Sequence, residues 1–80
     1  MSIEQSFGEL LKTLRERHGI SQEKLAEKSD LHRTYISLLE RGIRQPSLTT
    51  IFKIANALSL SPSEVISELE KLLTKQNENS

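Results

Sequence analysis

Few side chains in this sequence could do covalent chemistry. Serine, histidine and glutamate are present, but at no spacing that resembles a nucleophile motif, a phosphate-binding loop or a pair of metal ligands. There are two histidines, His18 and His32, and no cysteine, which leaves no thiolate zinc site and no disulfide framework. His18 falls near the end of a helical segment, where it suits the helix dipole better than a metal. An 80-residue helical chain also offers little room for a deep pocket. The reading is therefore not an enzyme, with no cofactor, no metal and no small-molecule ligand expected. What remains is a set of cations. Residues 32–53 hold Arg33, Arg41, Arg44 and Lys53 against Glu40 alone, a net charge of +3, whereas residues 1–31 carry −1 and residues 54–80 carry −2. The neutral total of 11 basic and 11 acidic residues thus hides a polarised molecule, basic where it would touch phosphate.

Helices must position these residues. The three glycines and two prolines fall mostly between periodic segments, and no strand signal or internal repeat stands out. Phe7, Leu10, Leu11 and Leu14 mark the inner face of a first helix, with Ser2 and Gln5 as a capping box and Gly19 as its left-handed stop. Ser21 caps a short helix carrying Leu25 and Ala26. Asp30 is expected to cap the next, marked by Tyr35, Ile36 and Leu39 and ended by Gly42. Ser47 caps a fourth helix with Leu48, Ile51, Ile54, Ala55 and Leu58 on one face. Ser61, Pro62 and Glu64 occupy the N-cap, N1 and N3 positions of a fifth, which carries Val65, Ile66, Leu69, Leu72 and Leu73. Residues 1–73 form one domain and the polar tail 74–80 is expected to fray.

The second and third helices, Ser21 to Ser29 and Asp30 to Arg41, have almost no linker between them. So short a connection forces a large crossing angle, the geometry of a helix-turn-helix over residues 21–41. Ala26 supplies the small side chain that a close crossing needs, and Leu25, Leu31, Ile36 and Leu39 fill the angle.

The residues carry the argument further. The run Gly19-Ile20-Ser21-Gln22-Glu23-Lys24-Leu25-Ala26-Glu27-Lys28-Ser29, followed by Leu31 to Gly42 and by Pro46-Ser47-Leu48, resembles the Cro and phage-repressor type of helix-turn-helix domain, the XRE family. The resemblance covers residues 7–68. Its His32-Arg33-Thr34-Tyr35-Ile36-Ser37 stretch also resembles controller proteins of restriction-modification systems. The implied fold is all-α, a compact five-helix lambda-repressor-like DNA-binding domain with a central helix-turn-helix. The implied function is sequence-specific transcriptional regulation.

The resemblance assigns roles residue by residue. The second helix of the unit would lie in the major groove and present His32, Arg33, Thr34 and Tyr35 to the bases, with Leu38 one turn on. Arg33 leads, because its planar fork can donate twice to one guanine. Leu38 departs from the polar residue usual there and offers apolar contact alone. Gln22 matches the family glutamine that clamps a phosphate. Arg44, Gln45 and Ser47 would meet phosphate around the next helix N-terminus, with Arg41 and Lys53 as secondary contacts. Arg15 and Glu40 would form a structural ion pair.

Leu69, Leu72 and Leu73 extend the last apolar stripe beyond what a small core needs and suggest a homodimer on a palindromic double-stranded DNA operator. RNA polymerase is a further expected partner. No apolar run is long enough to span a membrane and no secretory leader is read, so a cytoplasmic location is expected. The rival reading is an antitoxin or protein-interaction module built on the same fold.

Overall fold

Four reversals of direction organise the chain, each made at a residue in the left-handed conformation: Gly19, Asp30, Gly42 and Ser59, with φ of 64, 56, 72 and 57°. In the computed structural model, which describes residues 1–78, these reversals separate five helices. They are α1 (Ile3–Arg17), α2 (Gln22–Ser29), α3 (Arg33–Glu40), α4 (Leu48–Ala57) and α5 (Pro62–Glu78).

The ends of the helices follow from local hydrogen bonding. Ser2 and Gln5 form a reciprocal capping box, with the Gln5 N–H donating to Ser2 Oγ at 3.1 Å and the Ser2 N–H to Gln5 Oε1 at 3.0 Å. Ser21 Oγ accepts from the Lys24 N–H at 3.0 Å, and Ser47 Oγ from the Thr50 N–H at 3.1 Å. Ser61 accepts from the Glu64 N–H at 3.1 Å, while the Glu64 carboxylate accepts from the Ser61 N–H at 3.0 Å. At the opposite ends, the Ile43 N–H reaches back to the Leu38 carbonyl and the Leu60 N–H to the Ala55 carbonyl, the closure that a left-handed residue permits.

Asp30 does not cap α3. It closes α2 instead, and the Leu31 N–H returns to the Ala26 carbonyl at 3.0 Å. An aspartate tolerates the left-handed region better than most residues, so the same side chain that suits an N-cap also suits this stop. The N-cap of α3 is His32, which makes no side-chain capping bond.

Phe7, Leu11 and Leu14 of α1, Leu25 and Ala26 of α2, Ile36 and Leu39 of α3, and Ile54 of α4 meet in one core. Leu58, Val65 and Leu69 complete it from the second half of the chain. Gly8 lets α1 cross the end of α3 at backbone contact: a Cβ there would lie 2.4 Å from the Leu39 carbonyl oxygen. Any larger residue would force the two helices apart, an overpacking effect of about 1–3 kcal/mol. The last helix runs on through Thr74 to Glu78, where fraying was expected; residues 79 and 80 of that stretch lie outside the described residues. Buried Ser6 ties it down by donating to Gln76 Oε1 at 3.0 Å. Among the described residues no helix is long and apolar enough to cross a membrane.

Candidate nucleic-acid interface

With Ile36 and Leu39 fully buried, α3 has one inward face and must turn the other outward. His32, Arg33 and Thr34, at and just inside its N-terminus, are exposed. Leu38, one turn on, is half-buried. Tyr35 is also half-buried, and its hydroxyl lies 3.2 Å from Thr50 Oγ1, which is itself 3.0 Å from Ser47 Oγ. This chain of hydroxyls joins the outward face of α3 to the N-terminus of α4.

Glu40, the last residue of α3, anchors the helix on its other side. Arg15 of α1 donates through Nε at 2.6 Å and Nη2 at 3.1 Å to the two carboxylate oxygens, a bidentate fork. Its Nη1 also donates to the Ile20 carbonyl at 2.9 Å. Gln22 of α2 donates to Glu40 Oε1 at 3.0 Å, so three helices converge on one carboxylate. The side chains of Arg15 and Glu40 are only 13% and 4% exposed. Hydrogen bonding to Glu40 raises the Arg15 pKa above its ordinary value, against an opposing contribution from burial. Removing either partner would leave a desolvated charge, a change that costs about 3–5 kcal/mol when burial is full. The predicted ion pair is therefore present, and Gln22, expected at a phosphate, has one amide hydrogen committed to it.

The expected phosphate contacts divide. Arg41, Arg44, Gln45 and Ser47 are all exposed, and the side chains of the two arginines make no hydrogen bond or ion pair among the described residues. They border the N-terminus of α4, whose leading N–H groups precede the first intrahelical bond. The Ser47 hydroxyl is occupied in capping. Lys53 sits apart: its Nζ lies 3.8 Å from Asp30 Oδ2 and links α4 to the turn between α2 and α3. His18 also has a local role, its Nδ1 lying 3.1 Å from the Leu14 carbonyl at the end of α1.

The expected dimer stripe is largely spent inside the protomer. Leu69 is 8% exposed within the core, and Leu72 and Leu73 are half-buried against it. The large apolar side chains left in water lie elsewhere, with Leu48 76% and Phe52 61% exposed on α4, and Ile66 on α5 also exposed. The sequence carried a signal for only one of the α4 pair. For Phe52 that signal is its offset from Ile51 and Ile54, whereas Leu48, expected on the inner face with Ala55, is exposed because the rest of the protomer leaves the first turn of α4 uncovered.

Comparison with known proteins agrees with this geometry. A family model described as helix-turn-helix matches residues 11–65. The control protein C.BamHI of Bacillus amyloliquefaciens is 48% identical over 61 residues, which is 75% of this chain and 75% of that protein. The crystal structure of the restriction-modification controller protein C.AhdI from Aeromonas hydrophila superimposes with a TM-score of 0.75 at 45% identity, covering 78% of this chain and 94% of that one. A second controller protein, C.Esp1396I, has been solved as a tetramer in complex with its natural 35 base-pair operator. It matches with a TM-score of 0.84 at 31% identity, covering 92% of this chain and 97% of that one.

Proposed function

Because this chain belongs to the XRE-type helix-turn-helix family of DNA-binding transcription regulators, we propose that it is a controller protein that binds a palindromic operator as a homodimer. In this reading α3 of each protomer enters the major groove. Arg33 and Thr34 read base edges there, with His32 beside them. Arg41, Arg44 and Gln45 hold the phosphates on either side, together with the first N–H groups of α4.

The observation that carries the reading is the fixing of α3. Its C-terminal end is held to α1 and α2 through Glu40, and its outward tyrosine is held to α4 through Thr50. The exposed turn carrying Arg33 is thereby presented on a rigid support, which base readout requires. Self-association is supported by the apolar side chains that remain in water and by the operator-bound tetramer of C.Esp1396I. Activation or repression would then depend on where the operator lies relative to the promoter.

Selection of bound duplexes from a random DNA pool tests the proposal. The enriched sequence should contain two inverted half-sites, centred about 34–36 Å apart, one helical turn or a multiple of it. Enrichment of a single half-site would sink the homodimeric palindrome reading, and no enrichment at all would sink sequence-specific binding.

A further inference from the structure

The contacts assigned to α3 leave Leu38 without a role. Ile36 and Leu39 are buried, and Leu38 lies on the side of the helix turned away from them. Other half-buried apolar side chains, such as Leu31, Tyr35, Leu60 and Leu72, pack against the core, whereas Leu38 is half-buried without doing so. Its backbone is fixed, because its carbonyl accepts from the Ile43 N–H at 3.0 Å and the Arg44 N–H at 3.4 Å. Exposed Thr34, four residues earlier, is its neighbour on the helix surface. Helical side chains lean toward the N-terminus, so Leu38 extends over the turn that carries Thr34. The leucine and the threonine methyl group thus form one small apolar patch beside Arg33.

Base-pair edges in the major groove present hydrogen-bond donors and acceptors, and the C5-methyl group of thymine is the apolar feature among them. A leucine set against a donor or acceptor would strip it of water and offer no partner, which is costly. Against a methyl group the same side chain gains by burial. We propose that Leu38 and Thr34 form a methyl-reading site that takes the C5-methyl group of a pyrimidine in the major groove. The inference rests on the reading that places α3 in that groove, and it adds a base chemistry that Arg33 does not supply. 5-Methylcytosine carries its methyl on the same ring carbon and fits the site equally. Cytosine and uracil leave it empty.

Duplexes carrying deoxyuridine in place of thymine test the site, because uracil keeps every hydrogen-bonding group and lacks only the methyl. Each thymine of the sequence enriched by selection is replaced in turn, and the affinity of the full chain is read by fluorescence anisotropy. At one position the replacement should weaken binding about fourfold per half-site, the equivalent of one CH₂ group left unburied. Leu38→Ala should bind the thymine and uracil duplexes equally there, whereas Leu38→Met, which keeps an apolar reach, should retain most of the discrimination. Far-UV circular dichroism checks that both variants keep their helices. The salt dependence of binding should be the same for Leu38→Ala and the parent, because no charge is lost. With cytosine at the same position, C5-methylation should tighten binding by the parent and leave Leu38→Ala unaffected. No thymine methyl that matters, or an equal uracil penalty for the parent and Leu38→Ala, overturns the methyl-reading site and leaves sequence-specific binding standing. A parent without sequence-specific binding overturns both this site and the reading on which it rests.

Discussion

Arg33 and Arg44 are both exposed arginines, yet their positions separate their proposed roles. Arg33 opens α3, where in the proposed complex its side chain would meet base edges, whereas Arg44 lies in the loop before α4, beside backbone N–H groups. Arg33→Ala should relax preference at particular base positions and cost about 1–3 kcal/mol on the preferred sequence. Arg44→Ala should weaken binding to all sequences alike. Competition binding on a panel of single-base operator variants reads both effects. An unchanged preference profile for Arg33→Ala would remove it from the reading set. At this scale the exposure of both arginines was legible from their place in the motif. Asp30 was not: a side chain equally suited to an N-cap and to a left-handed stop takes the role that the returning Leu31 N–H decides.

The helix ends were the most legible elements, because a cap is built from residues three or four apart. Ser61, Pro62 and Glu64 specify the start of α5 without any contribution from the rest of the fold. That box has a measurable consequence. Hydrogen bonds from the Ser61 N–H and hydroxyl hold the Glu64 carboxyl below its ordinary value. A depressed folded-state pKa stabilises the protein above the unfolded value and loses that contribution as pH falls through the folded one. Titration of Glu64 by NMR should therefore give a midpoint below the ordinary glutamate value of about 4.3, and Ser61→Ala should move it upward. A midpoint unaffected by Ser61→Ala would mean that the box does not persist in solution. The contact of α1 with α3 was less legible, since Gly8 sits inside a helical pattern with nothing nearby in sequence to explain it. Only the carbonyl oxygens of Leu39 and Glu40 beneath it do so.

For the whole molecule, neutrality and DNA binding are reconciled by segregation of charge. The +3 of residues 32–53 is reinforced because Glu40 is occupied by Arg15, and it is reduced where Lys53 meets Asp30. Arg33, Arg41 and Arg44 remain as exposed cations on each protomer. A dimer would then make roughly four to six charged phosphate contacts, so log K should fall against log salt with a slope between about −3.5 and −5.5. Affinities measured from low to moderate salt check this, and a slope near zero would contradict a phosphate-framed interface. Non-specific binding should be weak, because the acidic remainder of the surface opposes it.

By itself the sequence determined the five helices, most of their caps and most of the residues of their inner faces, Leu48 and Ile66 being exposed instead. These depend on periodicity and on hydrogen bonds between near neighbours, both of which are local. It also carried the family motif and, through it, the pairing of Arg15 with Glu40. Tertiary structure decided what depends on residues far apart in the chain. Gln22 joins that pair because α2 brings its amide to the end of α3, and Leu69 disappears into the core because α1 and α4 close over it. Leu48 stays in water although its spacing aligns it with buried Ala55, because nothing in the protomer covers the first turn of α4, and Phe52 is exposed beside it. An apolar side chain looks the same in sequence whether a neighbouring helix covers it or not, and only packing tells the two apart.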